Sequence, residues 1–304
     1  MPVARLSGRK ILITGPTSQV ALPVVRALVE ENEVWGLARF RKPKERQRVE
    51  ALGAKTVAID LASDSFDGLP RDFDTVLNFA VVKTGDFAYD LEANAEGAGR
   101  LMSHCRSARA FLHCSSAGVY EYAGHTPLVE TAPLGDNHRA MLPTYSLCKI
   151  AAETVVRFAA REWQIPTVIA RFSVPYGDNG GWPWFHLMMM RSGAEIPIHP
   201  ETPNLFNPIH EDDYIAQLPR LLSLASTPAS VVNWGGPQSS IEEWCGILGE
   251  LTGLEPRFKQ TDRTIGSVTL DLARMKQEVG ECRVPLRAGL ERMVRALNPE
   301  LLAS

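Results

Sequence analysis

Short apolar runs alternate along the first half of this chain with segments of helical periodicity. The runs are rich in β-branched residues and occupy residues 10–15, 33–38, 56–61, 75–80, 111–115 and 167–172. Continuous apolar runs of this kind are typical of parallel strands that are buried on both faces. After the first run, Pro23 is tolerated only in a first helical turn, so a helix is predicted to begin within residues 19–22.

The remainder of the chain has fewer strand signals. Residues 121–143 contain three prolines and are predicted to form a loop. A short strand is predicted at residues 230–236. A helix is predicted after Ser240, because Glu243 three positions later completes a capping-box pattern.

Composition narrows the class of protein. The 304 residues are 45% hydrophobic and 22% charged, with a formal net charge of -3 and no basic tail. These values are ordinary for a globular enzyme and give no support for binding to nucleic acid or to an anionic membrane. No apolar run reaches the roughly 18 residues that span a bilayer, and residues 1–5 lack the apolar stretch of a signal peptide.

Cysteine and histidine spacing argues against disulfides and metal sites. The five cysteines are widely spaced without a CxxC, which indicates free thiols in a reducing cytoplasm. The seven histidines show no HxH or HxxxH spacing, so no metal site is expected.

Tyr145 and Lys149 lie four positions apart and therefore share one face of a predicted helix. A neighbouring ammonium favours the phenolate, so Lys149 is expected to lower the pKa of Tyr145. Such a pair can exchange a proton at a carbon that bears oxygen. A hydroxyl pair, Ser115 and Ser116, follows the apolar run that begins near residue 110.

The order of these features resembles that of the extended short-chain dehydrogenase/reductases, also called the NAD-dependent epimerase/dehydratase family. The features are a strand, turn and helix at the start, then Ser116, then Tyr145-x-x-x-Lys149. The resemblance implies an α/β fold with a Rossmann-type doubly wound parallel sheet. It implies a dinucleotide-binding domain at residues 1–173. Residues 174–304 would form a smaller, mainly substrate-binding region, with some segments returning to the sheet. It also implies that Ser116 holds the substrate oxygen, Tyr145 is the acid/base, and Lys149 binds the nicotinamide ribose.

The resemblance also implies a set of cofactor-binding residues at the ends of the predicted strands. They are Gly15, Thr17, Ser18, Gln19, Val20, Arg39, Asp60, Leu61, Phe79, Ala80 and Lys149. The glycine pattern departs from that of the family, because Ser18 and Ala21 replace the second and third glycines of the phosphate turn. The Ser18 hydroxyl could donate to a phosphate oxygen, or the replacement could weaken cofactor binding.

Arg39 bears on the choice of cofactor. In proteins that prefer NAD, an acidic residue at the end of the second strand binds the ribose hydroxyls, and here that position is Arg39. A guanidinium can pair with a 2′-phosphate, which favours NADP over NAD. The alternative is that Arg39 and the basic residues after it, Arg41, Lys42 and Lys44, form a solvated loop.

Several replacements bear on the substrate. Ala117 and Gly118 stand where related dehydratases and decarboxylases carry acids, so hydride transfer is favoured over elimination. Val174 and Phe206 replace an Asn and an Arg that bind the nucleotide diphosphate of sugar substrates, which points to a non-nucleotide substrate. Trp182 and Trp184 are interpreted as part of an apolar substrate pocket, while the methionines that follow fit a core helix slightly better.

These observations predict a cytoplasmic NAD(P)-dependent oxidoreductase that acts on an alcohol or carbonyl of a small, partly apolar substrate. Two alternatives stay open, an NAD-dependent sugar or nucleotide-sugar 4-epimerase and a catalytically silent nucleotide-binding regulator. The resemblance further implies a homodimer.

Overall fold

The computed structural model of the protein describes residues 6–63 and 65–302. Residues 1–5, on which the expectation about a signal peptide rests, lie outside the described residues. The strands are β1 (Lys10–Thr14), β2 (Glu33–Ala38), β3 (Lys55–Ala58), β4 (Thr75–Asn78), β5 (Ala110–Ser116), β6 (Thr167–Phe172), β7 (Pro175–Gly177), β8 (Gly180–Gly181), β9 (Ile196–Ile198), β10 (Leu205–Phe206), β11 (Ile209–His210), β12 (Ser230–Trp234), β13 (Ser239–Ser240) and β14 (Phe258–Gln260). The helices are α1 (Ala21–Leu28), α2 (Pro43–Glu50), α3 (Phe87–Leu91), α4 (Gly97–His104), α5 (Tyr145–Glu162), α6 (Trp182–Ser192), α7 (Glu211–Ser223), α8 (Ile241–Thr252), α9 (Ala273–Glu278) and α10 (Leu286–Leu297).

The central sheet has seven strands in the order β12-β6-β5-β4-β1-β2-β3. The pairs β1–β2, β2–β3, β1–β4 and β4–β5 are parallel. The chain moves outward from β1 to β3, then returns to β4 on the other side of β1 and continues outward. This reversal between β1 and β4 is the switch point of a doubly wound Rossmann-type sheet, the place where such folds bind ligands. The predicted fold class is confirmed.

The predicted strands agree with the observed ones except at their ends. The third strand stops at Ala58 because Asp60 accepts a hydrogen bond from the backbone N–H of Ala62 and begins a turn. Helix α1 begins at Ala21 with Pro23 in its first turn, as predicted. Ser240 caps α8 by accepting a hydrogen bond from the Glu243 N–H, also as predicted.

A hydrophobic core lies between the sheet and helices α4 and α5. Both helices present apolar residues toward the sheet, among them the small Ala159 and Ala160 of α5, which lets this helix pack closely. The members of this core include Leu12, Val76, Phe111 and Ile169 from the strands, Leu101 and Met102 from α4, and Val156, Ala159 and Ala160 from α5. This packing fixes the position of α5, the helix that begins with Tyr145.

The chain divides into two compact units. The first comprises Met1–Ser116, Thr144–Arg171 and Gln217–Val232, and the second comprises Ala117–Pro143, Phe172–Ala216 and Asn233–Ser304. The assignment of residues 1–173 to dinucleotide binding and of 174–304 mainly to substrate binding stays a prediction. Within residues 6–63 and 65–302, no helix combines the length and apolar character needed to span a membrane.

Candidate active site

The three residues predicted to act in catalysis, Ser116, Tyr145 and Lys149, are termed the catalytic triad and come from the end of β5 and the start of α5. Ser116 is the last residue of β5 and Tyr145 is the first residue of α5. The two side chains share a hydrogen bond. Lys149 lies one helical turn after Tyr145, and its buried Nζ donates to the backbone carbonyl of Cys114 at 2.6 Å. The structure therefore brings these residues to one edge of the sheet.

The protonation state of Tyr145 differs from the expected one. Although the side chain is half-buried, desolvation of its phenol raises the Tyr145 pKa to about 12, and the hydrogen bond with Ser116 only partly opposes this shift. The expectation of a lowered Tyr145 pKa is wrong for this structure, because desolvation of the phenol outweighs the contributions that would lower it. Burial lowers the pKa of Lys149 as well. The phenol thus keeps its proton at neutral pH, the form of a general acid.

A buried ion pair supports α5 one turn beyond Lys149. Glu153 pairs with Arg171 of β6 through two hydrogen bonds, from Nε at 3.0 Å and from Nη2 at 2.8 Å. The Ser115 hydroxyl also donates to Glu153. Since both charged side chains are about 3% exposed, the fork-shaped pairing is what makes their burial tolerable. It fixes the register of α5 against β5 and β6.

Asp90 connects the start of α5 to the loop that follows β4. The fully buried Asp90 carboxylate accepts hydrogen bonds from the Thr84 N–H and hydroxyl, the Gly85 N–H and the Thr144 hydroxyl, the last at 2.7 Å. Burial opposes its ionisation, yet these hydrogen bonds together hold the Asp90 pKa below its usual range. Thr144 occupies the N-cap position of α5 but makes no capping bond with its side chain. Its hydroxyl binds Asp90 instead, so residue 145 is held in place from the preceding loop.

A row of buried polar side chains crosses the ends of three adjacent strands. Thr14, Asn78 and His113 are register partners on β1, β4 and β5. The Thr14 hydroxyl donates to Asn78 Oδ1 at 2.7 Å, and Asn78 Nδ2 lies 3.1 Å from His113 Nδ1. Burial lowers the pKa of His113 to about 3, so the imidazole is neutral and accepts the amide proton at Nδ1. This network holds the strand ends that carry Gly15, Ala80 and Ser116.

The turn after β1 requires glycine at position 15. Gly15 has a φ of +63°, and a Cβ there would lie 3.1 Å from the Ala80 Cα. The backbone of β1 can therefore approach the segment after β4 closely, as a phosphate turn requires. Ser18 Oγ accepts a hydrogen bond from the Ala21 N–H at 3.1 Å. This bond caps the start of α1 and leaves the hydroxyl proton for donation to an anion.

A cavity of about 330 Å³ lies over the switch point of the sheet. Most predicted cofactor-binding residues line it, whereas Gln19, Val20 and Lys149 lie outside its set of lining residues. The predicted residues that line it are Gly15, Thr17, Ser18, Arg39, Asp60, Leu61, Phe79 and Ala80. Asn94 fixes part of its wall, because its side chain bonds both the N–H and the carbonyl of Val82.

The Arg39 cluster (Arg39, Tyr89 and Asp60) lies at the β2 and β3 side of this cavity. Arg39 Nη1 donates to the Tyr89 phenol oxygen at 2.8 Å, and the phenol donates to Asp60 Oδ2 at 2.7 Å. In the part of the chain that the structure describes, Arg39 makes no ion pair with a carboxylate. Its guanidinium charge is therefore available to a ligand.

These residues fit a dinucleotide. The glycine turn and the start of α1 offer backbone N–H groups to a pyrophosphate. The cavity volume lies within the range of cofactor sites. Arg39 and Asp60, at the ends of neighbouring strands, offer charged and polar groups to an adenosine ribose.

Comparison with known proteins agrees with this site. The model of the NAD dependent epimerase/dehydratase family matches residues 11–188, which include the phosphate turn and the catalytic triad. The chain belongs to this family. It is therefore an enzyme of the NAD-dependent epimerase/dehydratase type, and the predicted family and oxidoreductase class are confirmed.

Relatives of this epimerase/dehydratase-family chain include two dTDP-4-dehydro-6-deoxy-D-allose reductases, one from a Streptomyces species and one from Streptomyces bikiniensis. Each is 27% identical, and each alignment covers 97% of this chain and 98% of the relative. Among solved structures, UDP-glucuronic acid 4-epimerase from Bacillus cereus with UDP-glucuronic acid and NAD has a TM-score of 0.82 at 20% identity, covering 96% of this chain and 99% of the other. The dTDP-glucose 4,6-dehydratase from Streptomyces venezuelae with NAD bound also has a TM-score of 0.82 at 20% identity, covering 95% and 97%. These structures share the fold.

The residues predicted to contact substrate lie in the second unit of this family member. Phe206 is buried and packs edge-to-face on Trp182, whose ring also lies near Trp244. Trp184 donates its indole N–H to Asn298 Oδ1 at 3.0 Å. Val174 is half-buried. Contact of these side chains with a substrate stays a prediction.

Sequence reasoning missed the residues that support the catalytic triad. Glu153 lies four positions after Lys149 and so on the same helix face, a spacing that could have identified it. Thr144 directly precedes Tyr145 and has the chemistry of a helix cap. Asp90 and Tyr89 carry no comparable signal, because their partners lie 54 and 50 positions away.

Proposed function

We propose that this enzyme reduces a ketone to an alcohol, with the catalytic triad placing the carbonyl and supplying the proton. A reduced nicotinamide dinucleotide, when bound, supplies the hydride to the carbonyl carbon. The Ser116 hydroxyl holds the carbonyl oxygen, and the Tyr145 phenol donates its proton to that oxygen. The buried ammonium of Lys149, one turn along α5, stabilises the phenolate that remains.

The hydrogen bond between Ser116 and Tyr145 carries this proposal. One oxygen atom of a substrate can be bonded by both hydroxyls only if they lie this close. A Tyr145 pKa of about 12 favours the neutral phenol, which reduction needs at its start. The two relatives that align over almost the whole chain are named reductases, which supports the same direction.

We propose NADP as the preferred cofactor. Support comes from Arg39, which lines the cavity and bonds a neutral phenol rather than a carboxylate. Lys42, another cation of the cavity, pairs with Glu45 at 3.5 Å. Arg41 also lines the cavity but is exposed, whereas Arg39 is half-buried directly after β2. Arg39 is therefore the cation that we propose for the 2′-phosphate. The two solved structures described above contain NAD, so the proposal of NADP depends on this chain's own residues.

We propose a substrate without a nucleotide diphosphate. The position predicted to bind a diphosphate carries Phe206, which is buried in an aromatic cluster and offers no charge. The rival is a dTDP-linked 4-keto sugar, which the names of the two reductases favour.

The test is a substrate panel with purified protein. Simple and polycyclic ketones, free keto sugars and dTDP-4-keto-6-deoxy sugars are offered with NADPH or NADH, and loss of reduced nicotinamide is followed with product analysis. Turnover of an unlinked ketone with NADPH supports the proposal, and turnover of the dTDP-linked ketone alone replaces the substrate assignment. An epimerase would instead retain tightly bound NAD and interconvert alcohols without net redox change.

The oligomeric state of the protein and its location in the cell are also proposed. A homodimer is proposed because Leu147 and Phe158 of α5 expose apolar side chains, Phe158 by 64%. A cytoplasmic location is proposed because all five cysteines are free. Sedimentation of the purified protein tests the first proposal, and fractionation of the producing cells tests the second.

A further inference from the structure

Tyr89 stands between the two charged side chains of the Arg39 cluster. Its phenol oxygen accepts a hydrogen bond from Arg39 and donates one to Asp60, at 2.8 and 2.7 Å. Arg39 and Asp60 both line the cavity over the switch point, whereas Tyr89 is not one of its lining residues. In residues 6–63 and 65–302, no direct ion pair joins Arg39 to Asp60.

We propose that Tyr89 determines dinucleotide specificity by keeping the Arg39 guanidinium from pairing with the Asp60 carboxylate. The guanidinium then retains its full charge for the 2′-phosphate of an NADP-type ligand. This inference rests on the proposed preference for NADP. It assigns a part in that preference to Tyr89, a residue that does not itself line the cavity.

The chemistry of the phenol suits this role. An arginine next to a carboxylate forms a bidentate pair that neutralises both groups. A phenol satisfies each partner with a single hydrogen bond and adds no charge. Burial and the hydrogen bond to Asp60 raise the pKa of Tyr89, so its proton stays on the phenol and points to the carboxylate. Arg39 therefore faces only a lone pair.

The backbone of Tyr89 is fixed on both sides. Asp86 caps α3 and accepts hydrogen bonds from the Ala88 and Tyr89 N–H groups. Asp90, the next residue, is anchored by its bonds to the loop after β4 and to Thr144. Because α3 is held in this way, the Tyr89 phenol is kept between Arg39 and Asp60 and acts as a fixed spacer.

The experiment uses two fragments, adenosine 2′,5′-bisphosphate and adenosine 5′-monophosphate, so that no substrate is needed. Their dissociation constants are measured by calorimetry on the full-length protein and on the Tyr89→Phe, Asp60→Asn and Tyr89→Phe/Asp60→Asn variants. Wild type is expected to prefer the bisphosphate. In Tyr89→Phe, the preference for the bisphosphate over the monophosphate is expected to fall by about tenfold, which corresponds to one weakened charge-assisted contact. The affinity of this variant for the monophosphate should stay within about twofold of the wild-type value.

The double variant is the decisive control. Removing the Asp60 charge leaves Arg39 without a competing carboxylate, so the preference is expected to return in Tyr89→Phe/Asp60→Asn. If wild type shows no preference for the bisphosphate, the NADP proposal fails and this inference falls with it. If wild type shows the preference and Tyr89→Phe keeps it in full, or the double variant fails to restore it, only the role of Tyr89 is overturned. Circular dichroism of each variant verifies that it is folded.

Discussion

The catalytic triad and the Arg39 cluster lie in the same unit of the molecule but differ in how they are held. Around the triad, every supporting contact is buried: Lys149 on the Cys114 carbonyl, Glu153 on Arg171, and Thr144 on Asp90. The Arg39 cluster is half-buried and consists of two single hydrogen bonds that meet at one phenol.

This difference separates two functions. Proton transfer needs fixed geometry, and a packed, low-dielectric surrounding both fixes side chains and shifts their pKa values. The proposed recognition of a 2′-phosphate would need available charge, which the half-buried Arg39 guanidinium provides. We therefore expect changes near the triad to affect turnover and folding strongly, and changes in the Arg39 cluster to affect binding selectively.

The largest effect is expected from Tyr145→Phe. Removal of the phenol oxygen removes the proton donor while the ring is kept, so turnover should fall by about 10²- to 10⁴-fold. NADPH affinity, measured by fluorescence titration, should change by less than about twofold. The assay uses whichever ketone of the substrate panel is reduced by wild type, and Ser116→Ala serves as the companion variant. Near-normal turnover in Tyr145→Phe would remove this residue from catalysis.

The pH dependence of the same reaction sharpens the assignment. Since the Tyr145 pKa is raised to about 12, the acid form dominates throughout the neutral range. The kcat/KM for reduction of the ketone should stay constant from neutral to mildly alkaline pH. It should fall only as the pH approaches the phenol pKa. A fall in this rate that begins near neutral pH in wild type, but not in Tyr145→Phe, would contradict this expectation. It would mean that binding of the reduced cofactor lowers the Tyr145 pKa.

A large loss of stability is expected from Glu153→Ala. The change leaves the Arg171 guanidinium buried without its partner, which costs about 3–5 kcal/mol in free energy of unfolding. Urea titration measures the loss. The Glu153→Leu/Arg171→Met variant, which removes both charges, should recover most of it. A single variant as stable as wild type would show that the pair contributes nothing to holding α5.

Much of the fold followed from the sequence because its signals are local. Strands such as Glu33–Ala38 and Thr167–Phe172 consist mainly of apolar residues, and Pro23 and Ser240 mark the starts of their helices. The order of the strands needed the resemblance to a family, because periodicity does not specify which strands are neighbours.

The site was predictable where one short motif carries it. Tyr145 and Lys149 share a helix face by spacing alone, but the pKa of Tyr145 was mispredicted. Spacing brings an ammonium to the same face but does not reveal how strongly the surrounding structure desolvates the phenol. Tyr89 and Asp90 were missed for a similar reason, since a five-residue helix gives no period and their partners come from distant elements.

A moderate loss of stability is expected from Thr144→Val. The variant keeps the shape of the side chain but removes one donor from the buried Asp90 carboxylate, which costs about 1.5–3 kcal/mol. Because the Asp90 pKa is lowered in the folded protein, this contribution is complete above the ordinary carboxyl pKa. It is lost as pH falls through the lowered value. Thr144→Ser, which retains the hydroxyl, should match wild type. Equal destabilisation by serine and valine would assign the effect to packing.

The smallest effect, and the most selective, is expected from Arg39→Asp. The new carboxylate repels a 2′-phosphate and can accept hydrogen bonds from ribose hydroxyls, so the preference for NADP over NAD should fall by about tenfold or more. Lys44→Asp is the matched control, because it makes the same change of charge in the same basic segment at an exposed residue that does not line the cavity. The Arg39 side chain is half-buried and makes a hydrogen bond with the Tyr89 phenol of α3, so the unfolding midpoint should fall only slightly. If both variants lower the preference equally, the basic segment attracts the cofactor only through its overall charge. The Arg39 cluster would then not be a selective binding site, in contrast to what we propose.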